Sequence, residues 1–439
     1  MKKETLFARH GFLQSDLIDG LTGEKSKIGT FLQGALDHLT NNLQLSQDIE
    51  QDAWSEALEH ASQNVERIGG EMLIDPTKQE LPLAELDRYI RGIVRWLNEL
   101  GIHTTGCCDG HNSRPAVVHF KSHLTNTQIR ILKACTLPEV KIRIEGKRAG
   151  FYYNPGEAHK LLDIAERLFT LVKDPKNIIE LEAGFFKSKM IDLLSISGAS
   201  GNERRFRNYM RQKLNSLTDY TYMDRAGNLL AYLYCGDGPT VLLSAHMDTV
   251  EEFEPGRIIL EEGTTLTSSK GILGADDRAG IAVILETLSR IGKTNFNGTV
   301  KVALTVKEEI GCVGSRAIDP EFIEDVDGAI VVDRRGKRDI VTSNGGVSFC
   351  PVGYGELFEE AGRLAGMRDW KMTAGGLSDA KVFASYGIPS VNLSAGYWNE
   401  HSDLEVVDYR ATYETVKLVE GVLNHQLIPF KEENWVNVI

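Results

Sequence analysis

The sequence predicts an α/β protein: a three-layer C-terminal domain, in which a largely parallel mixed sheet lies between helices, preceded by a helical segment and a small α/β region. Three observations predict it. From about Leu181 onward, apolar runs of strand length alternate with stretches of helical periodicity, the pattern of strands joined by crossover helices. Between about residue 81 and "KDPKN", where the pattern breaks, the same two periods recur in a shorter block. Ahead of that block the chain is polar and helix-leaning, with few strand signals and no repeat. The expected domains are therefore 1–80, a helical segment, 81–180, a small α/β domain, and 181–439, the main α/β domain.

In the second block, "LAELDRYIRGIVRWLNELG" places Leu86, Ile90, Ile93, Val94 and Leu97 on one helical face, with Gly101 as C-terminal cap. A polar loop, "TTGCCDGHNSRP", leads to the strand "AVVHF". A helix from Thr125, strands in "VKIRIEG" and "AGFYYN", and a helix opening after Pro155 complete the block. In the third block, the strand "PTVLLSAHMDTV" ends in His246 and Asp248. A helix in "GILGADDRAGIAVILETLSRIG" follows, with Ile281, Ile284, Leu285 and Leu288 on one face and Asp276 and Asp277 at its start. Val300, Val302, Leu304 and Val306 alternate along a strand that stops at Glu308 and Glu309. "GAIVVDRRG" ends in Asp333, and "IPSVNLSAG" runs into a loop reaching His401.

Composition excludes several function classes. A net charge of −13 and a pI near 5.4 argue against a nucleic-acid partner, which would call for a basic face. The first residues lack the apolar run of a signal peptide, and no segment has the length of a membrane span, so the sequence predicts a soluble, cytoplasmic protein without a membrane partner. Six cysteines, two of them adjacent at Cys107 and Cys108, lack the spacing of a secreted disulfide framework and read as reduced thiols.

The carboxyl ends of neighbouring strands in an open α/β sheet line one crevice, so the polar residues at these strand ends can converge although they are far apart in sequence. Two adjacent carboxylates such as Glu308 and Glu309 repel each other unless solvent or a cation stands beside them. Imidazoles mixed with carboxylates suit zinc, and two ions share a site when one carboxylate bridges them at roughly 3.5 to 4 Å. Taken singly, an H-x-D after a strand, an acidic helix start and a Glu pair are commonplace; their placement together is what points to a metal site.

At these residues the chain resembles the co-catalytic dizinc exopeptidase superfamily, which includes bacterial leucyl aminopeptidase, glutamyl aminopeptidases and the peptidase T and carboxypeptidase relatives. The resemblance covers about residues 185–425, through "ISGASGNERRFRNYM", "SAHMDTV", "GADDRAG", "KEEIGCVGS", "VVDRRG", "GGLSDAKVFASYGIPSVNLSAG" and "NEHSDLEVVD". It implies that His246 and Asp333 hold one zinc, Glu309 and His401 the other, and that Asp276 bridges them. It further implies that Asp248 orients the His246 ring and that Glu308 is the general base, taking a proton from water so that a hydroxide held between the metals attacks the carbonyl, and passing that proton to the leaving amine. A cis peptide between Asp276 and Asp277 belongs to the same expectation. The implied activity is a metallo-hydrolase of peptides, first an aminopeptidase, with a dipeptidase or N-acyl amino acid deacylase as the alternative. A non-catalytic binding module on a peptidase scaffold is the reading from another class. Its partners are then a peptide or small amide substrate, with a homo-oligomer left open.

Spacing bears on the branch. His246 and Asp276 are thirty positions apart (276 − 246), too close for the barrel domain that the glutamyl aminopeptidase branch inserts there. Asp333 and His401 are sixty-eight apart (401 − 333), read as one helix and two strands, with no room for the dimerisation lid of the peptidase T branch. The spacing therefore favours the lidless aminopeptidases. Arg334 and Arg335 directly after Asp333 can clamp a substrate carboxylate, or can pair with surface acids on an acidic protein. In the loop "TTGCCDGHNSRP", the residues Cys107, Cys108, Asp109 and His111 are metal-ligand types without the usual C-x-x-C spacing. That loop also reads as a Gly-rich turn with cysteine in the packing, or as a ligand contact involving Arg114.

Overall fold

The structure, a computed structural model, describes residues 3–18, 27–42, 50–63, 65, 72–74 and 81–430. It divides into two compact units, Met1–Phe185 and Phe186–Ile439, with the division inside the helix Ile178–Leu194. Parts of the expected 1–80 helical segment lie outside the described residues.

The first unit holds a five-stranded antiparallel sheet in the order β1-β2-β3-β5-β4, made of β1 (Met72–Leu73), β2 (Thr104–Cys108), β3 (Ala116–Phe120), β4 (Lys141–Glu145) and β5 (Arg148–Tyr152). Leu6, Leu32 and Trp54 from its first helices, and Phe12 between two of them, share one core with Trp96, Val118, Phe151 and Leu168, so residues on both sides of position 80 pack together. Three local expectations are revised. The first five residues of "TTGCCDGHNSRP" form β2, because pairing with β3 satisfies their backbone groups whatever their polarity. The helix in "LAELDRYIRGIVRWLNELG" starts only at Arg91, after a 3-10 turn at Leu83–Glu85. The helix expected after Pro155 starts at Lys160.

The second unit is built on a nine-stranded sheet. Its strands are β6 (Tyr220–Met223), β7 (Leu229–Tyr234), β8 (Thr240–His246), β11 (Thr299–Thr305), β12 (Gly328–Arg334), β13 (Asp339–Asn344), β14 (Val347–Ser348), β15 (Lys371–Ala374) and β16 (Ser390–Ser394), in the order β14-β13-β16-β12-β8-β11-β7-β6 with β15 beside β13. The inner four, β16, β12, β8 and β11, run parallel, so their carboxyl ends share one edge of the sheet. A separate four-stranded sheet joins β9 (Ile259–Glu262) and β10 (Thr265–Ser268) to β17 (Tyr397–Trp398) and β18 (Val406–Asp408).

Burial on both faces explains why β8 and β11 read as near-continuous apolar runs, "TVLLSA" and "VALT". On one face Leu242, Ala303, Ala329 and Val331 pack with Phe322, Ala380 and Phe383 of short helices. The helix Ala275–Ile291 contacts β8 and β12 and also packs on the helix Tyr409–Asn424. Gly280 permits that approach: a Cβ there would stand 1.9 Å from the Val332 carbonyl oxygen. Between Asp333 and His401, where one helix and two strands were expected, lie the helices Val352–Leu364 and Asp379–Ser385 and the strands β13 to β17.

Candidate two-metal site

His246 is the last residue of β8, where its backbone N–H donates to Asp277 Oδ2 at 3.2 Å. Its ring Nε2 stands 2.9 Å from Asp276 Oδ1 and 3.6 Å from Asp333 Oδ1. Asp333 lies near the end of β12 and is locked to the neighbouring β16 by Asn392, which accepts the Asp333 N–H at 2.8 Å and donates to its carbonyl at 3.0 Å. The Tyr397 hydroxyl adds a hydrogen bond to Asp333 Oδ1 at 3.1 Å.

Asp276 enters from the start of the helix Ala275–Ile291, just after Gly274, whose φ of 74° suits a residue without a Cβ. The Asp276–Asp277 peptide is cis, as the sequence resemblance leads one to expect. Asp277 turns away and accepts the Gly280 N–H at 3.0 Å. Glu405, buried behind the turn, accepts the N–H of Gly274 at 2.7 Å and of Asp276 at 3.0 Å. The second oxygen of Asp276 lies 3.2 Å from His401 Nε2, which is itself 2.9 Å from Glu309 Oε2. Two groups of potential metal ligands result, His246–Asp276–Asp333 and Asp276–Glu309–His401, and Asp276 belongs to both.

Glu308 stands outside both groups. Its side chain accepts a hydrogen bond from the Cys312 thiol at 3.1 Å. Asp248 meets this turn from below: its carboxylate accepts the N–H of Glu308 at 2.9 Å, the N–H of Glu309 at 3.2 Å and the Ser200 hydroxyl at 2.6 Å. The His246 Nδ1 is nearer to the Asp248 main-chain oxygen, at 3.1 Å, than to its carboxylate, at 3.5 Å. Arg334 faces Asp339 and Arg335 faces Glu400, each at 3.3 Å.

The electrostatics are those of crowded acids. Burial pushes Glu308 up to about 9 and Asp333 up to about 7, the latter against the pull of His246. Burial also opposes charge on His246, but Asp248, Asp276 and Asp333 outweigh it and hold the imidazole well above its ordinary value. Hydrogen bonds to Asp276 and Glu309 raise His401 to about 10. Burial raises Asp248, yet His246, Ser200 and the Glu308 N–H prevail and lower it to about 2. Each triad offers only carboxylate oxygens and imidazole nitrogens, a donor set that fits zinc and similar divalent ions.

Four contributors to this geometry escape the sequence reading: Ser200, Asn392, Tyr397 and Glu405. Asn392 alone leaves a signal, as an amide inside the apolar run "IPSVNLSAG", since a buried polar side chain needs partners. Glu405 is indistinguishable in sequence from the many surface acids around it.

A family model described as M42 glutamyl aminopeptidase matches residues 250–418. The uncharacterized protein YqjE of Bacillus subtilis is 28% identical over 145 residues, covering 31% of this chain and 39% of the relative. Peptidase T of Staphylococcus carnosus is 30% identical, covering 25% of this chain and 36% of the relative. The chain thus spans little more than a third of the length of these curated relatives. A tripeptidase structure from Staphylococcus aureus superposes with a TM-score of 0.50 at 18% identity, covering 56% of this chain and 98% of the other, which is a likeness of fold. The matching model is described as that of the glutamyl aminopeptidases, while the segment between His246 and Asp276 holds the β9–β10 hairpin and no barrel. In its motifs, its fold and this family match, the C-terminal unit is similar to the co-catalytic zinc exopeptidases.

Proposed function

We propose that the chain is a two-metal aminopeptidase in which Glu308 is the general base. The observation that carries this reading is the division of Asp276: one oxygen faces His246 and the other faces His401, the disposition of a bridging ligand. His246 and Asp333 would hold one divalent ion, and Glu309 and His401 the other, with zinc favoured by the donor set. When bound, such ions supply Lewis acidity and lower the pKa of water.

The remaining work falls to the chain's own residues. Glu308, excluded from both triads and with its proton affinity raised by burial, takes a proton from water and delivers it to the leaving amine. Asp248 fixes the turn from which Glu308 and Glu309 project, so that one carboxylate serves as ligand and its neighbour as base. Arg334 and Arg335 each already face a carboxylate, which supports reading them as structural pairs over substrate clamps and favours the aminopeptidase over the deacylase.

The test is metal analysis of the purified full chain, followed by assays on free-amine peptides, dipeptides and N-acyl amino acids, with and without chelator. At least two equivalents of divalent metal and chelator-sensitive release of amino-terminal residues are expected. Hydrolysis of the acyl amino acids alone would move the deacylase to first place. Two bound metals without turnover on any amide would favour the binding module.

A further inference from the structure

The first unit carries a cluster of different chemistry. β2 ends at Cys108, and the chain turns through Asp109, Gly110 and His111, the last two at φ 76° and 50°. The turn folds the imidazole back over the strand end, with His111 Nε2 3.9 Å from Cys108 Sγ and Nδ1 3.3 Å from Asp109 Oδ1. Asp87, ahead of the helix Arg91–Glu99, is drawn in by the Asp109 N–H, which donates to its Oδ2 at 3.2 Å. One donor atom from each of Asp87, Cys108, Asp109 and His111 lies within 4.8 Å of all the others. Cys107, the other cysteine of the pair, is not among them and is buried, as the alternation of a strand requires.

A tight turn accounts for only part of this. Asp109 caps the His111 N–H at 2.9 Å, and that bond would exist without Asp87, the thiol or the ring. Among the described residues, neither Asp87 nor Asp109 forms an ion pair with lysine or arginine, although Asp109 is only 5% exposed. A buried carboxylate, Asp109, with a half-buried one, Asp87, brought beside it calls for a cation. The spacing is close to that of one: donors around a tetrahedral zinc, with bonds of ~2.0 to 2.3 Å, stand ~3.3 to 3.8 Å apart, against 3.3 Å between His111 and Asp109 and 3.9 Å between His111 and Cys108. Thiolate and imidazole together select a zinc-like ion over magnesium or calcium. An entry path exists, since Cys108 and Gly110 line a cavity of about 700 Å³ that also presents Arg114, His119 and Arg148.

We propose that Asp87, Cys108, Asp109 and His111 form a metal site for a zinc-like divalent ion in the N-terminal unit, separate from the two-metal site. Its single thiolate gives it a signature. The full-length protein is reconstituted with cobalt(II), and the near-ultraviolet sulfur-to-cobalt charge-transfer band is recorded beside metal content. The two triads of the two-metal site contain no sulfur and contribute nothing to that band, whereas Cys312, which lies near Glu308 and Asp379, is the other thiol beside carboxylates among the described residues and is tested by Cys312→Ser. Expected is a band that disappears in Cys108→Ser, together with one equivalent of metal, and persists in Cys312→Ser and in His246→Ala. His111→Ala, at an exposed residue, should also lose one equivalent and serves where Cys108→Ser fails to fold. Absence of the band in the native chain, its persistence in Cys108→Ser, or its loss in Cys312→Ser would overturn the site. Failure of the two-metal reading is separately visible, because His246→Ala would then leave metal content unchanged.

Discussion

Asp248 holds Glu308 by its backbone: Oδ1 of Asp248 accepts the Glu308 N–H at 2.9 Å, while Oδ2 takes the N–H of Glu309. A carboxylate can accept both, whereas an asparagine offers one oxygen and turns an N–H₂ group toward the other donor. Asp248→Asn should therefore tilt the turn and lower metal affinity or turnover by about 10- to 100-fold, the range for residues that position ligands. Titration of the variant with zinc, read by activity, checks this; unchanged affinity and rate would remove Asp248 from the machinery.

The neighbouring glutamates should fail in opposite ways. Glu308→Gln keeps shape and hydrogen bonding but cannot carry a proton, so turnover should fall by roughly 10² to 10⁴ fold with metal content unchanged. Glu309→Gln should lose metal first, and added zinc should restore part of the activity. Metal analysis and kcat measured side by side decide the assignment. If neither variant changed rate, the pair would be ordinary strand-end surface.

Glu405 supports the bridging residue from behind by accepting the Gly274 and Asp276 N–H groups. In Glu405→Gln one of these buried donors loses its partner, at a cost of about 1 to 3 kcal/mol. A lowered urea midpoint and weaker metal retention are the expected outcome; wild-type values of both would show that water replaces the carboxylate.

The first unit should be acid-sensitive through His10. Burial first, and then the charges of Arg91, Arg9 and Arg88, depress its pKa from 6.5 to about 3, and neither ring nitrogen is hydrogen-bonded. The unfolded chain therefore binds a proton that the folded one rejects. The stability is fully present above pH 6.5 and is lost as the pH falls toward 3, by up to about 1.4 kcal/mol per pH unit. Urea unfolding from pH 7 to pH 4 measures this slope, and His10→Leu should flatten it. Equal slopes would show that other groups dominate.

Much of the second unit was legible because its cues are local. The apolar runs of β8, β11 and β12 end where polar residues begin, which located His246, Glu308, Glu309 and Asp333 at one edge of a parallel sheet. The first unit was less legible. β2 carries no alternation that separates it from a loop, and the helix before it was read five residues too long, because the apolar positions Leu86 and Ile90 continue the helical spacing ahead of its start at Arg91.

Residue types and their order along the chain are properties of the sequence alone, and they determined the α/β class, the acidic surface charge and the list of candidate ligands. Which oxygen of Asp276 faces which histidine, which glutamate of the pair enters a triad, and that Asp87 joins Cys108 while Cys107 does not were decided only by tertiary structure. The reason is physical: strand and helix periods act over a few residues, whereas ligand geometry is set by backbone hydrogen bonds from Asp248, Asn392 and Glu405, whose partners lie 60, 59 and 129 positions away.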